Sequence, residues 1–203
     1  ALIVLTVLLS IVSMAAGRVW VPFSDWLDRS DPRWAIIFEL RLPRTILAIG
    51  VGAALGMAGA AMQGYTRNPL ADPGALGVSS MAALGAVLTL YLGAGAAEPW
   101  VIAAAAMAGA LIAVMLLLAL SGQASSIVTF ILAGVILQTM AGAGVALALS
   151  LAPNPWAVNE IINWLMGSLA DRSIGEVQMA LPLIAAGCVM LMFIGRGLDA
   201  LTL

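Results

Sequence analysis

The sequence predicts an all-α polytopic membrane protein with about six transmembrane helices, in a single domain that occupies residues 1–203. Of its 203 residues, 63% are hydrophobic and only 9% are charged. A soluble domain has roughly 45–50% apolar and about 25% charged residues, so most of this apolar surface must face lipid. Six apolar stretches approach the roughly 20 residues that a spanning helix needs. These stretches are residues 1–17, 45–64, 75–93, 100–120, 127–151 and 177–195.

The first stretch begins without Met and without basic residues ahead of the apolar run. A signal peptide needs a positively charged segment at its start, so we interpret residues 1–17 as the remainder of a first membrane helix. The last residues, 195–203, stop without a terminating feature. We therefore expect the chain to be cut at both ends.

Two of the intervening segments are long and polar. Residues 17–34 form a loop rich in Trp, and residues 152–176 are too polar to span a membrane. Within the second segment, apolar residues recur at 158, 161, 162 and 165. This helical spacing predicts an amphipathic helix that lies in the membrane interface.

Residue types that are missing exclude several chemistries. The chain has no Lys and no His, so it has neither a P-loop lysine for ATP nor a histidine for a triad, a zinc site or a proton relay. Its one cysteine, Cys188, lies in an apolar run and cannot form an internal disulfide. The net charge of −2 does not suggest nucleic-acid binding. We expect no cofactor in this chain and no enzymatic activity.

Six spans place both termini on one side of the membrane, and the opposite side, which we call side B, carries all six Trp residues. Side B also carries six of the eight arginines, so the positive-inside rule alone makes it cytoplasmic. Most of the acidic residues lie on side B as well, which weakens that argument.

Small residues recur every four positions in the second span. In lipid such a stripe lets helix backbones approach closely, which is typical of a polytopic bundle such as a transporter or a channel. The fifth span repeats the pattern. The stripes are Ala48, Gly52, Gly56, Ala60 and Gly64 in the second span, and Gly134, Gly142 and Ala146 in the fifth.

Two glutamines, Gln63 and Gln138, are the notable polar groups within the spans. Intramembrane polar side chains usually face protein or water, so Gln138 lines a pathway or bonds to another helix, and the sequence does not choose between these. No acidic or basic residue lies at mid-span. That pattern disfavours a carrier coupled to protons or sodium, which often keeps such a residue there.

Residues 40–80, LRLPRTILAIGVGAALGMAGAAMQGYTRNPLADPGALGVSS, resemble the signature of the permease subunits of bacterial ABC importers for iron–siderophore, haem and cobalamin. The segments ILAGV (131–135) and WLMGSL (164–169) also match positions of that family. The matching residues of the first stretch are Arg41, Pro43, Arg44, Gln63, Asn68, Pro69, Leu70, Ala71, Pro73, Leu76 and Gly77. The likeness covers essentially the whole chain.

The resemblance implies an N-terminal portion of a permease domain that has about ten helices in the family. It implies a bacterial inner-membrane protein whose N-terminus is cytoplasmic, which makes side B periplasmic and reverses the arginine count. Its implied partners are a second permease domain, two cytoplasmic ATPases that bind Mg-ATP, a periplasmic binding protein and the lipid bilayer. The implied function is alternating-access import of an iron–siderophore, with haem and cobalamin next; the alternatives are a secondary transporter or channel not driven by ATP, and a structural subunit.

The resemblance also implies roles for particular residues. Arg41 and Arg44 match positions at which carboxylates of the binding protein dock, and the alternative is that they anchor the helix start. Arg presents a planar fork that suits a carboxylate.

Asn68 and Leu70 match the cytoplasmic gate, and Ser126 lies where the family has a second gate region. Pro69 and Pro73 disfavour helical geometry at the residues before them, so residues 67–77 are predicted to form a stiff, non-helical connector. The alternative is a connector without a gating role.

Overall fold

The computed structural model describes residues 1–17, 19–26, 28–93, 99–122 and 126–202. Its regular elements in these ranges are helices and turns, without a strand. The helices are α1 (Leu2–Ala15), α2 (Arg33–Thr66), α3 (Val78–Tyr91), α4 (Pro99–Ser121), α5 (Ile127–Ser150), α6 (Pro155–Met166) and α7 (Ile174–Thr202), with 3₁₀ turns at Phe23–Trp26 and Pro73–Leu76.

All six predicted apolar stretches are helical, and four of the helices are long and apolar enough to cross a membrane. These are Arg33–Thr66, Trp100–Ser121, Ile127–Ser150 and Ile174–Gly195. The other two, α1 and α3, are apolar but have 14 residues each. At 1.5 Å per residue they extend about 21 Å, which is less than the roughly 30 Å of a hydrocarbon core. The all-α prediction is confirmed, and the chain has four full-length candidate spans among the described residues rather than six.

The chain divides into two compact units, residues 1–61 with 169–203, and residues 62–168. The single domain over residues 1–203 remains a prediction.

In the first unit, α2 begins well before the predicted start of its span. The sequence predicted a loop to residue 34 and a span from residue 45, but the helix begins at Arg33 and includes a π-helical stretch, Ile36–Arg41, just ahead of Pro43. Proline has no N–H to donate and its ring crowds the carbonyl of the preceding turn. A π turn is a local widening of the helix, and it lets α2 continue through Pro43. The motif that contains Arg41 and Arg44 therefore lies within a helix, not before one.

In the second unit, α3 packs most closely on α4. Gly85 faces the backbone of Ala105 and Gly109 faces the backbone of Met81, so closely that neither glycine could carry a side chain. These reciprocal contacts run in opposite directions along the two helices, so α3 and α4 are antiparallel. Because lipid offers no hydrophobic driving force between helices, such close backbone packing is the main way in which small residues stabilise a pair.

Two apolar clusters fasten the two ends of the second unit. At one end, Leu117, Ala133 and Leu137 are buried together, and Leu76 packs against them. At the other end, α6 lays Ile161, which is fully buried, on the last turns of α3 and α5. The cluster there is Val87, Leu90, Ala148 and Ile161. The helix predicted from this spacing is confirmed, and its place in the membrane interface stays a prediction.

The small-residue stripe of α2 makes no close contact among the described residues. Ala48, Gly52, Gly56 and Ala60 are exposed, and nothing described lies within 4 Å of a side chain built at Gly52 or Gly56. The close glycine contacts of α2 are instead made by Gly50, which faces Leu181 of α7 within the first unit.

Candidate functional site

The connector between α2 and α3, which comprises residues 67–77, starts with a sharp reversal at Arg67. Arg67 has φ +51, and its N–H donates to the Gly64 carbonyl at 3.4 Å. The Asn68 N–H donates to the Gln63 carbonyl at 3.2 Å. These two bonds around a left-handed residue form a Schellman motif, which satisfies the last carbonyls of α2. The helix therefore ends at Thr66, ahead of the position at which Pro69 was expected to stop it.

Asn68 organises the next turn of the connector with both its backbone and its side chain. Its Oδ1 accepts the Leu70 N–H at 2.9 Å, and its carbonyl accepts the Ala71 N–H at 3.1 Å. The Asn68 amide is thus engaged in local structure, while the Leu70 side chain is 87% exposed. The turn holds an apolar side chain away from the protein.

The second half of the connector corrects the prediction of a wholly non-helical segment. Asp72 is extended, as a residue before proline should be, but Pro73–Leu76 forms a 3₁₀ turn. The glycine that adopts a left-handed conformation is Gly77, with φ +73, and not Gly74. Gly74 has another constraint, because a side chain there would lie 2.8 Å from the Asp72 carboxylate.

The end of the connector is locked onto α5 by two glycines. A Cβ on Gly77 would lie 2.8 Å from the Gly134 carbonyl oxygen and 2.8 Å from the Gln138 nitrogen. A Cβ on Gly134 would lie 2.7 Å from the carbonyl oxygen of Ala75 and 2.7 Å from the Leu76 Cα. Because a bare backbone on each side permits this approach, residues 75–77 and the first turns of α5 pack as one piece.

The predicted second gate region lies at the same end of the second unit as the connector. Tyr65, which precedes the connector, contacts Phe130 edge to face at 5.7 Å between ring centres. Ser126 is the N-cap of α5, and its Oγ accepts the Thr129 N–H at 3.2 Å. Val128 is 72% exposed at this helix start, as Leu70 is in the connector. The part of this region at 123–125 lies outside the described residues.

Gln138 is exposed on α5, one position after the buried Leu137. Its backbone nitrogen lies close to Gly77, and its side chain is exposed. No described residue accepts or donates a hydrogen bond at that side chain, so the interhelical bond considered for it is not formed within the described chain. A pathway-facing role remains a prediction.

The two arginines predicted for docking have different environments. Arg41 is only 5% exposed, and its guanidinium donates to the carbonyls of Met14 at 2.8 Å, Ala15 at 2.9 Å and Val19. Arg44 is half-buried, and none of the ion pairs among the described residues includes it. The sequence alone does not distinguish Arg41 from Arg44, because both are positive and both match the motif.

Sequence reasoning missed an ordered polar turn ahead of α2. Arg33 pairs with Asp25 at 2.8 Å and with Asp31 at 2.6 Å. The Arg33 side chain and N–H hold the pKa of Asp31 below its ordinary value, and the hydroxyl and N–H of Ser30 do the same for the pKa of Asp28. The spacing in DRSDPR (28–33) could have revealed it, because an Asp that bonds the N–H two residues later is a common turn.

A family model described as the FecCD transport family matches residues 4–203. The chain belongs to the FecCD transport family. The chain is similar to the uncharacterised ABC transporter permease YvrB of Bacillus subtilis (strain 168). The two are 40% identical over 187 residues, which cover 89% of this chain and 52% of that protein. The vitamin B12 import system permease BtuC of Salmonella newport (strain SL254) is 35% identical over 167 residues, covering 82% of this chain and 50% of that one.

A solved structure described as the inward-facing conformation of a metal-chelate type ABC transporter also resembles the chain. Its TM-score is 0.85 at 27% identity, over 100% of this chain and 62% of that one. The all-helical fold is therefore that of an ABC permease. The chain spans about half the length of the curated relatives it matches.

The fold brings two of the three segments that carried the resemblance into contact and places the third at the opposite end of the second unit. The connector and the ILAGV segment (131–135) are in direct contact through Gly77 and Gly134. WLMGSL (164–169) begins with Trp164, which packs on the apolar cluster at the opposite end of the second unit. The segments that carried the resemblance therefore pack at both ends of the second unit.

Proposed function

We propose that this chain is the N-terminal part of the permease of an ATP-driven importer, which moves a metal chelate across the bacterial inner membrane. Membership of the FecCD family and similarity to a metal-chelate type transporter support this proposal. The observation that carries it is the connector locked on α5. It places Leu70 and Val128, both largely exposed, at one end of a packed helical unit.

The substrate class that we propose is an iron–siderophore, with cobalamin as the second candidate because BtuC is a vitamin B12 permease. Haem is a third candidate. A large chelate needs a wide passage with few strong contacts. The side chains along α5 that are exposed in this chain are mainly apolar, as such a passage requires, with Thr129, Gln138, Thr139 and Ser150 as the polar exceptions.

The proposed mechanism is alternating access, in which the chain itself performs no chemistry. ATP binding and hydrolysis occur in two partner ATPases, which hold Mg-ATP, and a second permease domain completes the pathway. A periplasmic binding protein delivers the chelate on side B, and the N-terminus of the chain is cytoplasmic. The exposed Leu70 and Val128, with the Ser126 cap, occlude the cytoplasmic end until the ATPases rearrange the pair.

Asn68 supports the gate by shaping the turn that presents Leu70. Its side-chain oxygen holds the Leu70 N–H at 2.9 Å, so the amide is a local brace. An apolar side chain on a braced turn closes a pore by packing, and two such side chains from paired permeases double the contact. In the proposed gate, Leu70 closes the pore by packing, and Asn68 holds the turn that presents Leu70.

The test is uptake by cells that lack the gene and carry a plasmid copy of the full-length permease with its ATPase and binding protein. Radiolabelled ferric siderophore, haem and cobalamin are supplied separately. The proposal expects ferric siderophore uptake that disappears when the catalytic glutamate of the ATPase is replaced by Gln. Uptake of cobalamin alone would move the substrate to the second candidate. Uptake that survives the ATPase substitution would support a secondary transporter or channel instead.

A further inference from the structure

The carboxyl end of α1 lacks a cap in its own sequence. Ala16, which follows the helix, is extended, and the last turn contains no basic residue. The final carbonyls of a helix have no intrahelical donors, and leaving them unpaired in an apolar environment is costly. Some other group must satisfy them.

Arg41 is that group. It lies 26 or 27 residues away in sequence, yet its Nη1 donates to Met14 O at 2.8 Å and to Ala15 O at 2.9 Å. Its Nη2 donates to Val19 O, beyond the helix end. A cation is favourable at a helix carboxyl end because the helix dipole is negative there. We propose that Arg41 is a positioning residue, which caps α1 from α2 and thereby sets the direction of Arg44.

The surroundings of Arg41 fit its guanidinium closely. A Cβ on Gly17 would lie 2.6 Å from Nη2 and 3.0 Å from Cζ, so glycine at this position leaves the space that the fork occupies. One turn along α2, Thr45 donates to the Arg41 carbonyl at 2.9 Å, and its hydroxyl lies 3.1 Å from that of Ser13 in α1. These contacts fasten two successive turns of α2 to α1.

The cap leaves Arg41 unsuited to docking and Arg44 suited to it. A carboxylate of a partner would have to reach the Arg41 side chain, which is only 5% exposed. It would also have to replace the hydrogen bonds that Arg41 donates to three carbonyls. Arg44 lies three residues further on, on a neighbouring face of the same helix. Because Arg41 is held by α1, rotation of α2 about its axis is restricted, and Arg44 keeps one direction. This second half of the proposal rests on the proposed function, since it requires an acidic protein partner.

The experiment uses the full-length permease in lipid nanodiscs, with its own ATPases and binding protein. Four variants are compared with wild type, namely Arg41→Ala, Arg41→Lys, Gly17→Ala and Arg44→Ala. Gly52→Ala is the matched control for Gly17→Ala, because nothing described lies within 4 Å of a side chain there. The readouts are the thermal midpoint of the permease and the salt dependence of the association rate of the binding protein.

The cap predicts a lower thermal midpoint for Arg41→Ala and Gly17→Ala, and a midpoint at or above the wild-type value for Gly52→Ala, which gains the helix propensity of Ala. Arg41→Lys should behave like Arg41→Ala, because a point-charge ammonium cannot match the planar fork of a guanidinium at three carbonyls. In Arg41→Ala and Arg41→Lys the association rate of the binding protein should fall together with the thermal midpoint, because Arg44 is no longer held in one direction. Arg44→Ala should reduce the association rate about tenfold at low salt and flatten the slope, with an unchanged midpoint.

Two results would overturn the assignment. A flattened salt slope in Arg41→Ala that Arg41→Lys restores, with an unchanged thermal midpoint in both, would make Arg41 a docking residue. Wild-type melting of Arg41→Ala would remove the cap. A wild-type salt slope in Arg44→Ala would contradict the docking part of the proposed function alone, because the cap is decided by the melting of the other variants.

Discussion

Replacing Gly134 with Ala should separate the connector from α5. The added Cβ would lie 2.7 Å from Ala75 O and from Leu76 Cα, whereas ordinary contact begins at 3.4 Å. Each of the two distances is about 0.7 Å too short. Because both contacts are with backbone atoms, no side-chain rotation relieves them. Overpacking of this kind costs about 1–3 kcal/mol.

Gly142→Ala is the control for this change. Gly142 lies on the same helix, and nothing described lies within 4 Å of a side chain built there. Both substitutions gain the helix propensity of Ala over Gly, about 1 kcal/mol, so this gain cancels in the comparison. The difference of about 1–3 kcal/mol between the two variants then reports the clash alone.

The assay is thermal unfolding of the full-length permease in lipid nanodiscs, with substrate leak from proteoliposomes as the second readout. Gly134→Ala should melt several degrees below Gly142→Ala and should leak more, because the connector that presents Leu70 is displaced. Equal melting and equal leak in the two variants would refute the close contact between connector and α5.

The remaining predictions concern the gate, the packing of α6 and the polar turn. Leu70→Ala should raise substrate leak in proteoliposomes, since it removes an apolar side chain from the proposed gate; Leu92→Ala, which is also largely exposed but lies at the opposite end of the second unit, should not. Ile161→Ala should destabilise the permease by about 2–5 kcal/mol in thermal unfolding, while the neighbouring, exposed Ile162→Ala should cost less than about 1 kcal/mol. The pKa of Asp31 is lowered by its bonds to the neighbouring arginine, so these bonds stabilise the turn above the ordinary carboxyl pKa of about 4 and are lost as the pH falls below it. The protection factors of the amides in residues 28–33, which correct for the intrinsic pH dependence of hydrogen exchange, should fall in that pH window.

Each of these expectations has a contradicting result. Equal leak in the two leucine variants would remove the gate role, and equal melting of the two isoleucine variants would place α6 away from the apolar cluster. Protection factors in residues 28–33 that are independent of pH below 4 would mean that the carboxylate bonds do not order the turn.

The helices were predictable from the sequence because lipid forces every backbone group of a spanning segment to bond internally. Long apolar runs therefore become helices, and α6 followed from the spacing of its apolar residues. The start of α2 at Arg33 was not predictable in this way. The polar, Trp-rich segment reads as a loop, and only the π turn ahead of Pro43 lets the helix extend into it.

The environment of Arg41 could not be predicted because its three acceptors lie 22 to 27 residues away in the chain. Periodicity reports which residues share a face of one helix, but not which helix covers that face. For the same reason, the stripe that includes Gly52 looked like a contact surface, whereas the closest packing uses Gly85 and Gly109. The connector was identified by its motif, and its lock through Gly77 required the fold.

Transport in proteoliposomes tests whether this chain belongs to an importer driven by ATP. The full-length permease is reconstituted with its ATPases, with the binding protein and ferric siderophore supplied on side B and ATP on the other side. ATP-driven import predicts that the siderophore accumulates only when ATP and the binding protein are both present, and that accumulation stops with vanadate. Movement of the siderophore at the same rate without ATP would contradict it.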